Sequence, residues 1–127
     1  MKELSTYAVV DTNVLVYAID SLDTLKHEVA CELLESGISG KTKLAVTTQI
    51  LSELFNVFVK AKKANKNIDL DAVELIISDI ISLSKIPKLV VLPQTVNAAI
   101  KLQRKFQVDF YDALIAATMS ENQVITI

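Results

Sequence analysis

The chain has 127 residues, 51% of them hydrophobic, with a formal net charge of −2 and a pI near 5.3; that is enough apolar material for one domain with a core, and no run approaches the roughly eighteen residues of a membrane span. An acidic balance argues against a general nucleic-acid coat, though not against a nuclease whose acidic site is neutralised by bound cations. With one Cys, one His and two Gly, an internal disulfide, a thiolate or imidazole metal site, a Gly-rich dinucleotide fingerprint and a phosphate-binding P-loop are excluded.

Tyr7-Ala8-Val9-Val10 reads as a short buried strand that ends on a carboxylate, Asp11. Asp11 interrupts the first apolar region too early for a signal peptide, so a soluble, cytoplasmic protein is expected. Thr12 or Asn13 caps a short helix through about Ile19. Ser21 or Asp23 opens a second helix, with Val29, Ala30, Leu33 and Leu34 at helical spacing and an end near Gly37. Its Cys31 reads as a packed thiol rather than a nucleophile, because the only histidine, His27, lies one turn earlier on the same helix. An unpaired cysteine also suits a reducing compartment. Leu44-Ala45-Val46-Thr47 is a second strand. Thr47 or Thr48 caps a third helix, Gln49 to about Ala64, with the apolar stripe Ile50, Leu54, Val57, Phe58 and Ala61. Lys60, Lys62, Lys63 and Lys66 lie toward its end, where cations suit the helix dipole. Asp69 starts a fourth helix bearing Ala72, Val73, Leu75, Ile76, Ile80, Ile81 and Leu83, which ends before Pro87. Leu89 to Leu92 is a third strand. Pro93 and Thr95 open a fifth helix, Val96 to about Phe106. Asp109 starts a sixth, Phe110 to Glu121, and Gln123 to Ile127 is a fourth strand.

Strands alternating with one or two helices imply a parallel sheet joined by right-handed crossovers and covered on both faces. The sequence shows no internal repeat, linker or low-complexity segment and reads as a single domain over residues 1–127. In such a sheet, ligands bind outside the carboxyl ends of the strands. Three carboxylates are placed to meet there. Asp11 ends the first strand. Glu53 lies in the first turns of the helix after the second strand, on the edge of its apolar stripe. Asp112 lies in the first turn of the sixth helix, three residues after Asp109. Each also has a plain structural reading: Asp11 and Asp109 as helix caps, Asp112 as a first-turn acid, Glu53 as a polar-edge glutamate. Converging carboxylates repel one another and make sense when a divalent cation fills the cleft. An all-oxygen ligand set suits Mg²⁺ or Mn²⁺, which can lower the pKa of water and stabilise a leaving oxygen.

Three segments carry a family resemblance: VVDTNVLVYAID around Asp11, TTQILSELFNVF around Glu53 and VDFYDALIAATM around Asp112. With these in order, the chain resembles a PIN-domain protein, close to the VapC-type toxin ribonucleases of toxin–antitoxin modules, over essentially its whole length. The resemblance implies a three-layer α/β/α sandwich with a central parallel sheet, usually of five strands in the order 3-2-1-4-5. It implies Mg²⁺- or Mn²⁺-dependent cleavage of RNA, leaving a 5′-phosphate and a 3′-hydroxyl. Asp11, Glu53 and Asp112 match the family's first three acidic positions. Thr12 and Asn13 match the polar pair that supports the first carboxylate or touches the phosphate. Lys60, Lys62, Lys63, Lys101, Arg104 and Lys105 are candidates to contact the RNA backbone, although helix faces of this kind are ordinarily just solvated. An antitoxin partner and a homodimer follow from the same resemblance. The family's fourth acid, last strand and last helix have no counterpart before Ile127, and Asp109 is the nearest extra acid. This puts a second metal in question and leaves strand four as an edge that a partner could cover.

Two other readings stand beside the nuclease. A PIN fold lacking the fourth acid could have lost turnover and act as an RNA- or protein-binding module. An α/β phosphatase of the haloacid dehalogenase type also ends its first strand on Asp, but wants a second Asp where this chain has Asn13. A receiver domain wants an acidic pair before that strand's Asp and a late lysine, and neither is evident.

Overall fold

The computed structural model describes residues 7–122 together with the backbone of Ile125 and Thr126. In chain order the elements are β1 (Ala8–Val9), α1 (Thr12–Ile19), α2 (Thr24–Ser39), β2 (Leu44–Thr47), α3 (Thr48–Lys63), α4 (Leu70–Ser82), β3 (Lys88–Leu89), α5 (Pro93–Phe106), α6 (Phe110–Asn122) and β4 (Ile125–Thr126). The strands form one parallel sheet in the order β3-β2-β1-β4. Ala8 lies opposite Leu44 on one side and Ile125 on the other, and Val46 lies opposite Lys88. Of the expected fourth strand, Gln123, Val124 and Ile127 lie outside the described residues.

Successive residues of a strand point to opposite faces of the sheet. Val9 and Val10 are both fully buried, as are Ala45 and Val46. Both faces are therefore covered by helices, which is the α/β/α sandwich that a parallel sheet needs. The main core joins these strand residues to Leu15 of α1, Ile50, Leu51, Leu54 and Phe58 of α3, and Val73 and Ile80 of α4. Each large aliphatic side chain buried there contributes about 1.5–3 kcal/mol. Ile50 and Leu54 thus root α3 into the core at the turns that carry its polar side chains. A second, smaller core lies between α5 and α6, where Ala99, Ala113 and Ala117 let two backbones approach around Leu114.

The caps of α2, α3 and α4 follow the expected side chains, but the expected Thr12 or Asn13 cap of α1 does not: both residues lie inside that helix, and the position before it is Asp11, whose side chain makes no capping bond. Asp23 accepts from Lys26 N at 3.1 Å to start α2, and Asp69 accepts from the backbone nitrogens of Asp71 and Ala72 to start α4. Pro93 occupies the first turn of α5, where its missing N–H costs nothing. Thr95 Oγ1 accepts the Leu92 N–H at 3.1 Å, closing that end from within the helix.

Four further expectations about local structure are corrected. Helix α2 does not stop at Gly37. It runs on to Ser39 and ends at Gly40, whose φ of 81° is the left-handed cap that glycine tolerates. Gly37 is instead a close-approach position against Leu44. In α3 the buried position is Leu51, while Val57 is 40% exposed. In α4 the stripe facing the core is Leu70, Val73, Ile77 and Ile80, while Leu75, Ile76 and Ile81 face out. A helix that is apolar nearly all round gives no sign of which face packs. The third strand is only Lys88–Leu89, because the chain leaves the sheet at exposed Val90 to enter α5.

Candidate active site at the carboxyl edge of the sheet

Asp11 follows the end of β1 and occupies the position before α1. Its backbone oxygen accepts from Val14 N at 3.1 Å, but its carboxylate makes no capping bond. Among the described residues that half-buried carboxylate has no hydrogen bond or ion pair. The helix cap is therefore not what its side chain does. Beside it, Thr12 Oγ1 is buried without a partner among the described residues, and Asn13 is exposed.

The neighbouring strand β2 runs straight into α3. Buried Thr47 caps the helix, its hydroxyl oxygen accepting from Ile50 N at 3.0 Å. This fixes the entry angle of the turn that bears Gln49 and, one turn later, Glu53. Glu53 is half-buried, and its Oε1 accepts from Gln49 Nε2 at 2.5 Å. The same nitrogen donates to the backbone oxygen of Tyr111 at 3.1 Å. The first turn of α6, which carries Asp112, is thereby tied to the first turn of α3.

Within α6, Asp109 behaves as a cap. Its Oδ1 accepts from the backbone nitrogens of Tyr111 at 3.0 Å and Asp112 at 3.2 Å. The exposed Asp112 carboxylate has no partner among the described residues. Glu53 and the Asp112 turn are thus brought together through Gln49, and Asp11 stands at the end of the adjacent strand. Among the described residues, however, no three acidic, histidine or cysteine side chains are grouped closely enough to hold a metal ion by themselves.

The donor chemistry nonetheless suits a hard cation. The polar side chains at this edge are oxygen donors or amides, and two buried oxygens, Thr12 Oγ1 and Gln49 Oε1, lack partners among the described residues. Unpaired buried oxygens are what ordered water, or a cation with its waters, ordinarily satisfies. The softer side chains are engaged elsewhere. His27 Nδ1 lies 2.8 Å from Tyr17 O, and Cys31 Sγ lies 3.6 Å from His27 Nε2 and 3.7 Å from Ala18 O. The cations named above, Lys60, Lys62 and Lys63 on α3 with Lys101, Arg104 and Lys105 on α5, are all exposed. None of the six forms an ion pair among the described residues.

Gln49 did not stand out in the sequence. The available signal was its spacing of four residues from Glu53, which puts the two side chains on one helix face. The bond to Tyr111 joins residues 62 apart and has no local signature.

Comparison with known proteins agrees with this architecture. A PIN domain family model matches residues 8–127. The crystal structure of Mycobacterium tuberculosis VapC20, described as a sarcin–ricin-loop-cleaving toxin, superposes with a TM-score of 0.71 at 16% identity, covering 92% of this chain and 84% of that one. A toxin–antitoxin complex from Klebsiella pneumoniae gives 0.58 at 21% identity, covering 94% of this chain and 82% of that one. No curated protein sequence matches. At these identities the solved structures establish a shared fold, and the family match over nearly the whole chain establishes the rest: this chain belongs to the PIN domain family.

Proposed function

We propose that this protein is a metal-dependent endoribonuclease, the toxin of a toxin–antitoxin pair. The observation that carries this reading is the pair of Gln49 hydrogen bonds at the carboxyl edge of the sheet. Gln49 binds Glu53 and the Asp112 turn, while the Asp11 carboxylate stands uncommitted at the end of the central strand. Structural helix chemistry uses up the carboxylate of Asp109 but not those of Asp11 and Asp112.

In this reading Asp11 and Asp112 would hold Mg²⁺ or Mn²⁺, and Glu53 would assist as a ligand or through water. Thr12 or Asn13 orients Asp11 or touches the scissile phosphate. A divalent cation in such a site supplies a lowered water pKa and charge stabilisation at the phosphorus oxygens. The chain's own carboxylates place that charge and, through Glu53, position the attacking water. The exposed lysines and Arg104 on α3 and α5 offer the RNA backbone counter-charges. Cleavage leaves a 5′-phosphate and a 3′-hydroxyl.

The test is incubation with RNA and Mn²⁺, with and without EDTA, for wild type and Asp11→Asn. EDTA-sensitive cleavage by wild type and none by the variant is expected. Equal cleavage by the two proteins sinks the proposal.

A protein partner, and a second copy of the chain, fit the surface. Leu22, Leu25 and Val29 at α2 are 88%, 71% and 58% exposed, and Val96, Ile100 and Phe106 line exposed positions on α5. Patches of this kind mark interaction surfaces. No helix among the described residues is long and apolar enough to cross a membrane.

The absence of a closed three-carboxylate group among the described residues favours a second reading, a PIN-fold module that binds RNA or protein without turnover. It expects RNA binding that survives Asp112→Asn and no metal-dependent cleavage. Loss of binding in that variant counts against it.

A further inference from the structure

Gln49 uses both hydrogens of its amide. One goes to Glu53 Oε1 and the other to the carbonyl of Tyr111. Two acceptors on one end fix the orientation of the amide, since a turned amide would set oxygen against oxygen. The remaining amide oxygen is buried with no partner among the described residues. A methionine of the same length would not bury an unpaired oxygen, so packing alone does not account for a glutamine here. The position has a task that needs two donors. Glu53 is a long side chain at the rim of the core, and α6 takes much of its packing from α5 through the small alanine-rich core. The Gln49 amide is what orients the first and ties the second to α3.

We propose that Gln49 is a positioning residue: it orients the Glu53 carboxylate and holds the Asp112 turn of α6 against α3, acting on cation and RNA only through those two acids. This rests on the ribonuclease reading above. Groups that orient ligands from behind typically change metal affinity or activity by about 10- to 100-fold.

The test uses the full chain as wild type, Gln49→Met, Glu53→Gln and the double variant. Mn²⁺ affinity is measured by calorimetry, and RNA cleavage as kcat and KM separately. Gln49→Met is expected to weaken Mn²⁺ binding about tenfold or more and to lower kcat while leaving the RNA KM unchanged. Added to Glu53→Gln, it should cost much less than it does alone, because the two act as one unit. Losses that add in full overturn the proposal, as does wild-type Mn²⁺ affinity in Gln49→Met.

A second measurement needs no variant. By NMR of the metal-free wild type, the side-chain amide protons of Gln49 are expected to exchange with solvent more slowly than those of exposed Gln94 and Gln107. Equal exchange overturns the clamp itself. A wild type that binds no Mn²⁺ and cuts no RNA overturns the ribonuclease reading and the positioning role with it, while the exchange measurement still decides whether the clamp forms.

Discussion

The hydroxyl of Thr47 accepts the backbone N–H of Ile50 at 3.0 Å inside the core, with Thr47 fully buried. One side chain thereby ends β2, starts α3 and sets the turn from which Gln49 and Glu53 project. Thr47→Val keeps the shape and removes the acceptor, leaving a buried N–H unpaired. The expected loss is about 1–2 kcal/mol, read as a lower urea midpoint at unchanged m-value. A variant as stable as wild type would mean that α3 is anchored by its apolar stripe alone.

Asp109 and Asp112 are three residues apart and do different things. Asp109 holds two backbone nitrogens, whereas the Asp112 carboxylate holds nothing among the described residues. Asp109→Ala should cost about 1 kcal/mol of stability, and Asp109→Asn, which still caps, little. Both should cleave RNA at the wild-type rate per folded molecule. Asp112→Asn should show the opposite pattern, with stability within about 1 kcal/mol of wild type and cleavage lost. If Asp109→Asn abolishes cleavage while remaining folded, Asp109 is the extra acid that the sequence raised, and the cap is incidental.

Much of this was legible in the chain. Most caps are written locally: Asp23, Thr47, Asp69 and Asp109 all start helices where a short polar side chain precedes an apolar period. The parallel sheet followed from alternation of strands and helices. What could not be read were choices settled by tertiary contact. Ile76 and Ile77 are adjacent and chemically identical, yet only Ile77 packs against the main core. Gly37 looked like a stop because glycine usually is one, and only Leu44 shows that it is a gap left for another side chain. At the edge of the sheet, a sequence can propose that Asp11, Glu53 and Asp112 belong together. It cannot show that Glu53 is reached through Gln49, because an early-turn glutamine reads as one more solvated polar residue.

A methyl group added at Gly37 would lie 2.5 Å from Leu44 Cδ1 and 3.0 Å from its Cγ, and Leu44 is fully buried. Alanine improves helix propensity by about 1 kcal/mol at such an interior position. Overpacking a closed core costs about 1–3 kcal/mol. The second effect is the larger, so Gly37→Ala should destabilise by roughly 1 kcal/mol. Gly37→Ala in a Leu44→Ala background, where the space exists, should gain stability over Leu44→Ala alone. Chemical denaturation of the four proteins reads the sign directly.

Burial holds the Lys88 ammonium below its ordinary value of 10.5, while Nζ donates to the carbonyl of Leu83. Between the lowered value and 10.5 the unfolded chain binds more protons than the folded one, so stability contributed at this site rises with pH across that window. Lys88→Met has nothing to titrate there. The difference in unfolding free energy, wild type minus variant, should therefore grow toward wild type as pH rises into that window. A difference that is flat or falls with pH would show that the ammonium is not desolvated.

Asp11 offers the sharpest separation of chemistry from folding. Its carboxylate sits at the N-terminus of α1, where a negative charge gains about 0.3–1 kcal/mol from the helix dipole, but it makes no capping bond that Asn would lose. Metal-free Asp11→Asn should therefore unfold within about 1 kcal/mol of wild type. A cation that binds only the folded state adds stability by mass action, about 2.7 kcal/mol at a hundred times the dissociation constant. Wild type should accordingly melt higher in Mn²⁺ than in EDTA, and Asp11→Asn should melt at nearly one temperature in both. The readout involves no RNA, so it reports on the carboxylate even if the substrate is unknown. An Mn²⁺ shift of full size in the variant would place the cation elsewhere, whatever the cleavage assay showed.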